Sequence, residues 1–341
     1  MIDFRYHLVS IIAVFLALAI GLAVGATSLG GATVAALQTA ERVLTHTNEA
    51  LSKDKQALIQ QVNADQAFAQ AGSGRLLSGL LTDRTVVLVI AQGADNKVVT
   101  GVTTSLRQAG ATVTGQVTLN QAFLDTSGPT EGTLTQLAQR LETTARVTLP
   151  ASSAGSPVAG QQAATTVLAA AILDKGTPLP AANSASVLNG FGPGGFLSIS
   201  GPNGSTTVAP ADLAVLVVPS GPPSPGVAGT NASLALVAVA HQLQAAGRGT
   251  VMAGGVGSIA SGSPISAEDN AGQVTTVDNA DTEIGQIIVA QVLWRLLNGK
   301  APGQYGVGPG AAPSPAPTPS QTPTSSANAT PTPTASTGGH K

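Results

Sequence analysis

The sequence lacks cysteine, and this absence removes several kinds of chemistry. Its 341 residues include no Cys, two Met and four His, the last at positions 7, 46, 241 and 340. Without Cys there is no disulfide framework and no thiolate nucleophile. Soft metal ions favour thiolate and thioether ligands, and this chain offers no thiolate and only two thioethers, Met1 and Met252. No cofactor or metal-ligand cluster is therefore identifiable from the sequence.

Charged and aromatic residues are also scarce, at 9% and 3%, and the net charge is -2. No long basic run occurs, so the electrostatic footprint of a nucleic-acid-binding protein is missing. We therefore expect no nucleic-acid partner. The 43% of hydrophobic residues is enough to form the core of one or two compact domains in the middle of the chain.

A long apolar run begins near the N-terminus. Residues 8–29 contain no charge, and about 22 residues at about 1.5 Å each give about 33 Å, the length of a membrane span. This predicts a transmembrane anchor over residues 1–30. Arg5 and His7 precede the run and no Lys or Arg follows before Arg42, which predicts a cytoplasmic N-terminus and an extracytoplasmic body.

A cleaved secretory signal is the alternative interpretation, because Ala23, Gly25 and Ala26 are suited to a cleavage site. We rank it second. Asp3 offsets the basic start, and the apolar stretch is longer than that of most signals.

Small residues recur every fourth position within the anchor. This stripe consists of Ala13, Ala17, Gly21 and Gly25. Such spacing allows two helix backbones to approach closely in lipid, and so it predicts self-association. The alternative is that the stripe reflects the general abundance of Gly, of which the chain has 40.

The next segment, residues 31–70, has the seven-residue repeat of a coiled-coil stalk. One seam position is occupied by Leu37, Leu44, Leu51 and Leu58, and the other by Val34, Glu41, Asn48, Lys55 and Val62. Together with the anchor, this predicts a parallel homo-oligomer. A single amphipathic helix folded against the body is the alternative.

The body, predicted over residues 80–306, begins after a Gly-rich helix break at 71–79. Two units of strand, helix and strand are expected. The first comprises 85–90, a helix to about 109, and 111–117; the second comprises 213–218, 232–246 and 250–253. Parallel strands buried by helices predict an α/β, Rossmann-like sheet. A helix at 162–173 and a hairpin or loop at 186–200 connect the two units.

The C-terminal part contains a helix and then a tail. Residues 278–281 offer side chains that cap a helix from about Thr282 to Asn298. Residues 307–341 are rich in Pro, Ser and Thr, without periodic apolar positions, and are expected to be disordered.

Catalytic motifs are missing: no Walker A loop, HExxH or GxSxG occurs. Gly190, Gly192 and Gly195 match GxGxxG, but a strand is predicted after them and not before, so we reject a dinucleotide site. The loop at 254–258 is interpreted as a tight turn, with anion binding as the weaker alternative.

A hydrolase would require His241, Ser258 and Asp278 to meet, and nothing in their spacing indicates this. Weak metal-ligand candidates are Asp278, Asp281, Met252 and His241. The two aspartates are three residues apart and offer a joint cation site, although helix capping explains both.

Three strings resemble the actinobacterial copper transporter MctB family. They are FRYHLVS at residues 4–10, VTTVDNAD at 274–281 and QYG at 304–306. The resemblance covers residues 1–306 and implies an envelope protein, pore-forming and located in the outer membrane, that limits intracellular copper by moving it outward. Because one apolar helix cannot enclose a pore, a conduit requires an oligomer of the anchor helices or a structure that the sequence does not reveal.

Three functions therefore stay open after the sequence is read. The first is copper efflux by a self-associated channel, and the second is a membrane-anchored binding or scaffold module without transport. An enzyme is the least supported, because an α/β fold alone carries no function.

Overall fold

The computed structural model describes residues 4–151, 156–221 and 226–315. The helices are α1 Phe4–Leu77, α2 Asn96–Gln108, α3 Gln121–Leu124, α4 Gly128–Ala145, α5 Ala159–Ile172, α6 Ala181–Gly190, α7 Gly226–Ala246, α8 Pro264–Ala271 and α9 Glu283–Leu297. The strands are β1 Thr85–Ala91, β2 Thr112–Leu119, β3 Leu197–Ser200, β4 Leu213–Val217, β5 Gly249–Ala253, β6 Thr275–Val277 and β7 Gln304–Tyr305. Short 3-10 turns lie at Pro202–Gly204 and Val256–Ile259. The chain is therefore a mixed α/β protein, as predicted.

The chain divides into two compact units, Met1–Ala71 and Gly72–Lys341. The described part of the first unit is a continuous helix. Its segment Arg5–Gly25 has 21 residues and a mean hydropathy of 2.8, and none of it is buried within the single chain. Length and composition thus allow this segment to cross a membrane.

The helix ends within the predicted break at 71–79, but later than its Gly-rich run suggests, because α1 continues through 71–75 and ends at Leu77. Ser73 and Leu77 are buried, so packing favours the helical conformation here despite the low helix propensity of Gly72 and Gly74. The helix is followed by a turn in which Gly79 has a φ of +77°, a left-handed conformation that suits glycine.

The second unit is built around one seven-stranded sheet with the order β3-β2-β1-β4-β5-β6-β7. All neighbouring strands are parallel except β3, which runs antiparallel to β2 at the edge. The central strands β4 and β5 are buried along their whole length. This matches their runs of apolar and β-branched residues, which are typical of strands covered on both faces.

Helices pack in two groups around the sheet. In one, α2 contacts α9; in the other, α5 contacts α4, α6 and α7, and α7 contacts α8. Phe123, Leu168 and Phe191 are among the fully buried side chains of the core. Burying an aliphatic or aromatic side chain of this size contributes about 2 kcal/mol.

Both predicted strand, helix and strand units are present, with β1 beside β2 and β4 beside β5. The segment predicted as a hairpin or loop at 186–200 differs. It contains the end of α6 and the whole of β3, which pairs with β2 and not with a neighbouring segment. Val187 and Leu188 of α6 are buried, so core packing stabilises a helix that its Gly, Ser and Asn residues do not favour.

The predicted start of the tail at residue 307 is too early. The Gly306 N–H donates to the Ala312 carbonyl at 3.0 Å, and the Ala312 N–H donates to the Gln304 carbonyl at 2.9 Å. Ordered structure thus extends past β7. The rest of the predicted disordered tail, residues 316–341, lies outside the described residues.

Candidate functional site

The loops that follow β4, β5 and β6 meet at the carboxyl ends of these parallel strands. Ligands commonly bind at this end of the sheet in open α/β folds. The Gly254 N–H donates to the Val277 carbonyl at 2.9 Å, and the Ala280 N–H donates to the Gly254 carbonyl at 2.9 Å. The loop after β5 therefore lies directly against residues 278–281, which include two predicted metal-ligand candidates.

The loop after β5 forms the tight turn that the sequence predicts. The Ser258 N–H and hydroxyl both donate to the Gly255 carbonyl, at 2.8 and 2.5 Å. Ser258 is fully buried, and its backbone carbonyl accepts a hydrogen bond from the Ser263 hydroxyl. Ser258 thus closes the turn, and none of its three hydrogen bonds involves His241 or Asp278.

Asp278 binds the chain that follows β7. Its carboxylate accepts hydrogen bonds from the N–H groups of Val307 and Gly308, both at 2.8 Å, and the residue is 2% exposed. It does not cap α9, so that expectation is wrong. The N-cap is Thr282, whose hydroxyl accepts from the Gly285 N–H at 3.1 Å.

Asp281 contacts a different segment from Asp278. A Cβ placed on Gly255 would lie 3.2 Å from the Asp281 Cγ, so this side chain lies against the loop after β5. Its buried Oδ1 accepts no hydrogen bond from the residues that the structure describes. It caps no helix either, since Thr282 has that role.

His241 on α7 pairs with a buried acid on α8. Its Nε2 lies 2.7 Å from the Glu268 Oε2, and the Glu268 side chain is fully buried. The other oxygen of Glu268 accepts from the N–H groups of Gln273 and Val274, at 2.9 and 2.6 Å. The two backbone hydrogen bonds hold the segment that leads into β6. The Nε2 atom of His241 is engaged by Glu268.

Two further residues bear on metal and acid–base chemistry: Met252, a predicted metal ligand, and Asp269, which follows Glu268 in the chain. Met252 is fully buried within β5, in the hydrophobic core. Burial is the main cause that raises the pKa of the Asp269 carboxyl, with smaller contributions from the charges of Asp278 and Glu268; the hydrogen bond from Thr276 opposes the rise.

The metal candidates thus have separate surroundings. Within residues 4–151, 156–221 and 226–315, no group of three or more His, Asp or Glu side chains is arranged to hold a metal ion. The GxGxxG match is also explained: Gly190 ends α6 and Gly195 precedes β3, the reverse of the strand-then-helix order that a dinucleotide site requires.

The remaining predicted site residues lie on α1. The seam residues Leu37, Leu44, Leu51 and Leu58 are between 61% and 70% exposed. In the anchor stripe, Ala13, Ala17 and Gly21 are exposed and Gly25 is half-buried. A Cβ placed on Gly21 or Gly25 would meet no atom within 4 Å. Both stripes are accessible on a single chain.

These features define a class: an α/β protein that carries an N-terminal apolar helix of membrane length. The chain belongs to the family described as "Copper transport outer membrane protein, MctB", whose model matches residues 1–315. The resemblance seen in the sequence is therefore confirmed. The family's description is that of a transport protein, which is not a catalytic role.

Relatives with curated names agree with this family. The chain is 29% identical over 327 residues to the "Copper transporter MctB" of Mycobacterium tuberculosis and to that of Mycobacterium bovis, over 91% of this chain and 98% of the relative. The protein of the same name from Mycobacterium leprae is 31% identical over 316 residues, with the same coverage.

Proposed function

We propose that this chain is a copper-transport protein of the cell envelope that limits intracellular copper as a self-associated assembly. The observation that carries the proposal is the family match across residues 1–315, together with relatives that are named copper transporters. Copper is the transported ion in this proposal and not a resident cofactor.

The anchor in this proposal is the apolar part of α1, Arg5–Gly25. An α-helix satisfies all its backbone hydrogen bonds internally, as a membrane span must. The positive-inside rule favours a cytoplasmic N-terminus and an extracytoplasmic body. We therefore propose an inner-membrane anchor, although the family's description names the outer membrane. The proposed domains are the anchor at 1–30, the stalk at 31–70 and the body at 80–306.

Self-association is proposed because one helix cannot enclose a pathway for an ion. The exposed leucine seam and the Gly21 and Gly25 positions lie on the same helix, α1. Leucines at seven-residue spacing favour a coiled coil, and the small residues favour close helix contact in lipid. Since both segments belong to one helix, both favour parallel neighbours. Asn48 in the seam is a residue type that fixes register.

The body has a supporting part in this proposal. Its strand order, in which β1 lies between β2 and β4, supports a Rossmann-like assignment. Three candidate ligands are engaged: His241 lies within hydrogen-bond distance of Glu268, Asp278 accepts backbone hydrogen bonds, and Met252 lies in the core. Asp281 alone has a buried carboxylate oxygen without a partner among the described residues. We therefore assign the copper pathway to the assembled anchor helices.

The test is the copper content of cells that lack this gene, under a graded external copper load. We expect higher intracellular copper than in the parent strain, and a return to the parent level when the wild-type gene is restored. Cobalt and zinc content, measured in the same cells, is the control for general leakiness. Copper content that does not differ between the strains contradicts the proposal.

A membrane-anchored scaffold without transport is the second candidate. It is favoured by the engagement of His241 and Asp278 in structural contacts, which leaves the body without a prepared copper site among the described residues. It predicts the same self-association, but no change in cellular copper when the gene is deleted.

A further inference from the structure

A groove in the second unit lies apart from the loops around Asp278 and has no charged residue in its lining. It lies between α6 and the segment 206–210, and its volume is about 380 Å³. The lining residues are Ala181, Ser184, Ala185, Leu188, Asn189, Thr206, Thr207, Val208, Ala209 and Pro210. None of these carries a charge, so the groove suits a neutral ligand.

Ser184 is the buried polar group of this groove. The residue is 2% exposed, and its hydroxyl has no hydrogen-bond partner among the described residues. A buried hydroxyl without a partner is costly, because it has lost its hydrogen bonds to water without replacement. A ligand with a hydrogen-bond acceptor would remove this cost.

The opposite wall of the groove adds backbone donors. In the part of the chain that the structure describes, the N–H groups of Thr206, Thr207, Val208 and Ala209 donate to no other residue. Together with the Ser184 hydroxyl, these N–H groups are donors of residues that line the groove, and none has a partner among the described residues. The groove is thus suited to a neutral ligand that is rich in acceptors and poor in donors.

We propose that this groove binds the chain's own C-terminal segment, residues 316–341. Residues 316–339 carry no charged side chain and consist largely of Pro, Thr, Ser and Ala. Proline has a carbonyl acceptor and no N–H donor, so this segment complements the donors of the groove. Proline-rich sequences also favour the extended polyproline II conformation, which reduces the entropy lost on binding.

The segment is long enough to reach the groove. The described chain ends beyond β7, the strand at one edge of the sheet, whereas the groove is lined by α6 and by residues 206–210, which follow β3, the strand at the other edge. Six strand spacings of about 4.8 Å separate the two edges by about 29 Å. A polyproline II segment of about 26 residues spans about 80 Å at about 3.1 Å per residue.

Covalent attachment makes a weak contact sufficient. A flexible link of this kind gives an effective concentration of about 1 mM, so a groove with a dissociation constant of about 0.1 mM is about 90% occupied. The segment lies beyond residues 1–315, which the family model matches.

Amide hydrogen exchange of the full chain tests the proposal, by comparison with a variant that ends at Pro315. Residues 206–209 are expected to exchange about tenfold more slowly in the full chain. A synthetic peptide of residues 316–341, added to the truncated variant, is expected to restore the slow exchange. Equal exchange in the two proteins overturns the proposal.

Two sets of variants distinguish groove contact from a general effect. Ala185→Leu fills the groove and is expected to abolish the protection, whereas Ala182→Leu, on the same helix but outside the lining, leaves it unchanged. Thr332→Glu with Thr334→Glu places charge in the segment without altering the body, and is also expected to abolish it. Protection that survives these glutamates overturns the proposal.

Dilution separates the chain's own segment from that of a second copy. Intrachain binding is independent of protein concentration, so the protection of residues 206–209 is expected to be the same over a hundredfold dilution. Protection that is lost on dilution assigns the groove to a neighbouring copy and overturns the intrachain proposal.

Discussion

At the residue scale, Asp278 joins β6 to the chain beyond β7. Its sequence neighbours indicate helix capping, but its carboxylate accepts from Val307 and Gly308, which follow about 30 residues later. Spacing along the chain gives no sign of such a contact. Gly306, which has a φ of +133° and no Cβ, lies against the same carboxylate and allows the close approach.

Asp278→Ala is expected to lower the free energy of unfolding by about 3 kcal/mol, because two partly buried hydrogen bonds to a charged acceptor are lost. Asp278→Asn retains one carbonyl acceptor and is expected to lose about half as much. Denaturant unfolding, followed by the fluorescence of Trp294, the single Trp of the chain, measures both. A loss below about 1 kcal/mol for Asp278→Ala would show that the contact is dispensable.

Two aspartates predict opposite dependences of stability on pH. Burial raises the pKa of Asp269, so its stabilising contribution is present below the unfolded-state pKa and is lost as the pH rises through the raised folded pKa. Hydrogen bonds from Thr130 and Ser127 lower the pKa of Asp125. Its contribution is present above the unfolded-state pKa and is lost as the pH falls through the folded pKa.

Acid titration of stability in the wild type and in Asp269→Asn and Asp125→Asn checks this pair. The stability of the wild type minus that of Asp269→Asn is expected to fall with rising pH, and the corresponding difference for Asp125→Asn is expected to rise. Differences that both change in the same direction contradict the assigned environments.

At the element scale, α1 carries the prediction of self-association. Leu44→Ser with Leu51→Ser removes two seam side chains and is expected to weaken the association of the full chain in detergent by at least about tenfold, since seam leucines supply most of the apolar contact of a coiled coil. Val43→Ser is the matched control, because Val43 is 59% exposed and outside the seam. Sedimentation equilibrium measures all three proteins.

The seam assignment has a clear contrary result. If Val43→Ser weakens association as much as the leucine variants do, helix polarity and not the heptad seam governs assembly. If all variants sediment as the wild type does, the stalk does not self-associate through these leucines.

The sequence predicts those elements whose signal is local. The apolar, β-branched runs of β1, β4 and β5 identify buried strands without reference to the rest of the chain. The strands β6 and β7, with three and two residues, are too short to carry a period. Their conformation depends on pairing with β5 and with each other.

Helices α4, α6 and α8 escape prediction for a related reason. Gly128, Pro129 and Gly132 obscure α4 in the sequence, although Leu134, Leu137 and Ala138 are buried against the core in the fold. Contacts between distant positions are equally invisible. The pairing of His241 with Glu268 joins two helices, and no spacing rule connects these residues.

At the scale of the whole molecule, α1 is the proposed site of anchoring and association, and the body has a supporting role. Three of the four candidate ligands of the body, His241, Asp278 and Met252, are held in structural contacts or in the core. The fourth, Asp281, has one buried carboxylate oxygen without a hydrogen-bond partner among the described residues. The anchor stripe with Gly21 and Gly25 is unobstructed in the single chain. The copper pathway is therefore expected to form where anchor helices of several copies meet.

The most direct measurement of this claim is copper release from copper-loaded lipid vesicles that contain the purified full chain. We predict release well above that of protein-free vesicles, and its loss in Gly21→Leu with Gly25→Leu, which separates the helices. Ala19→Leu with Ala23→Leu, off the stripe, should release copper as the wild type does. Release no faster than from protein-free vesicles would contradict transport by this chain and favour the anchored scaffold.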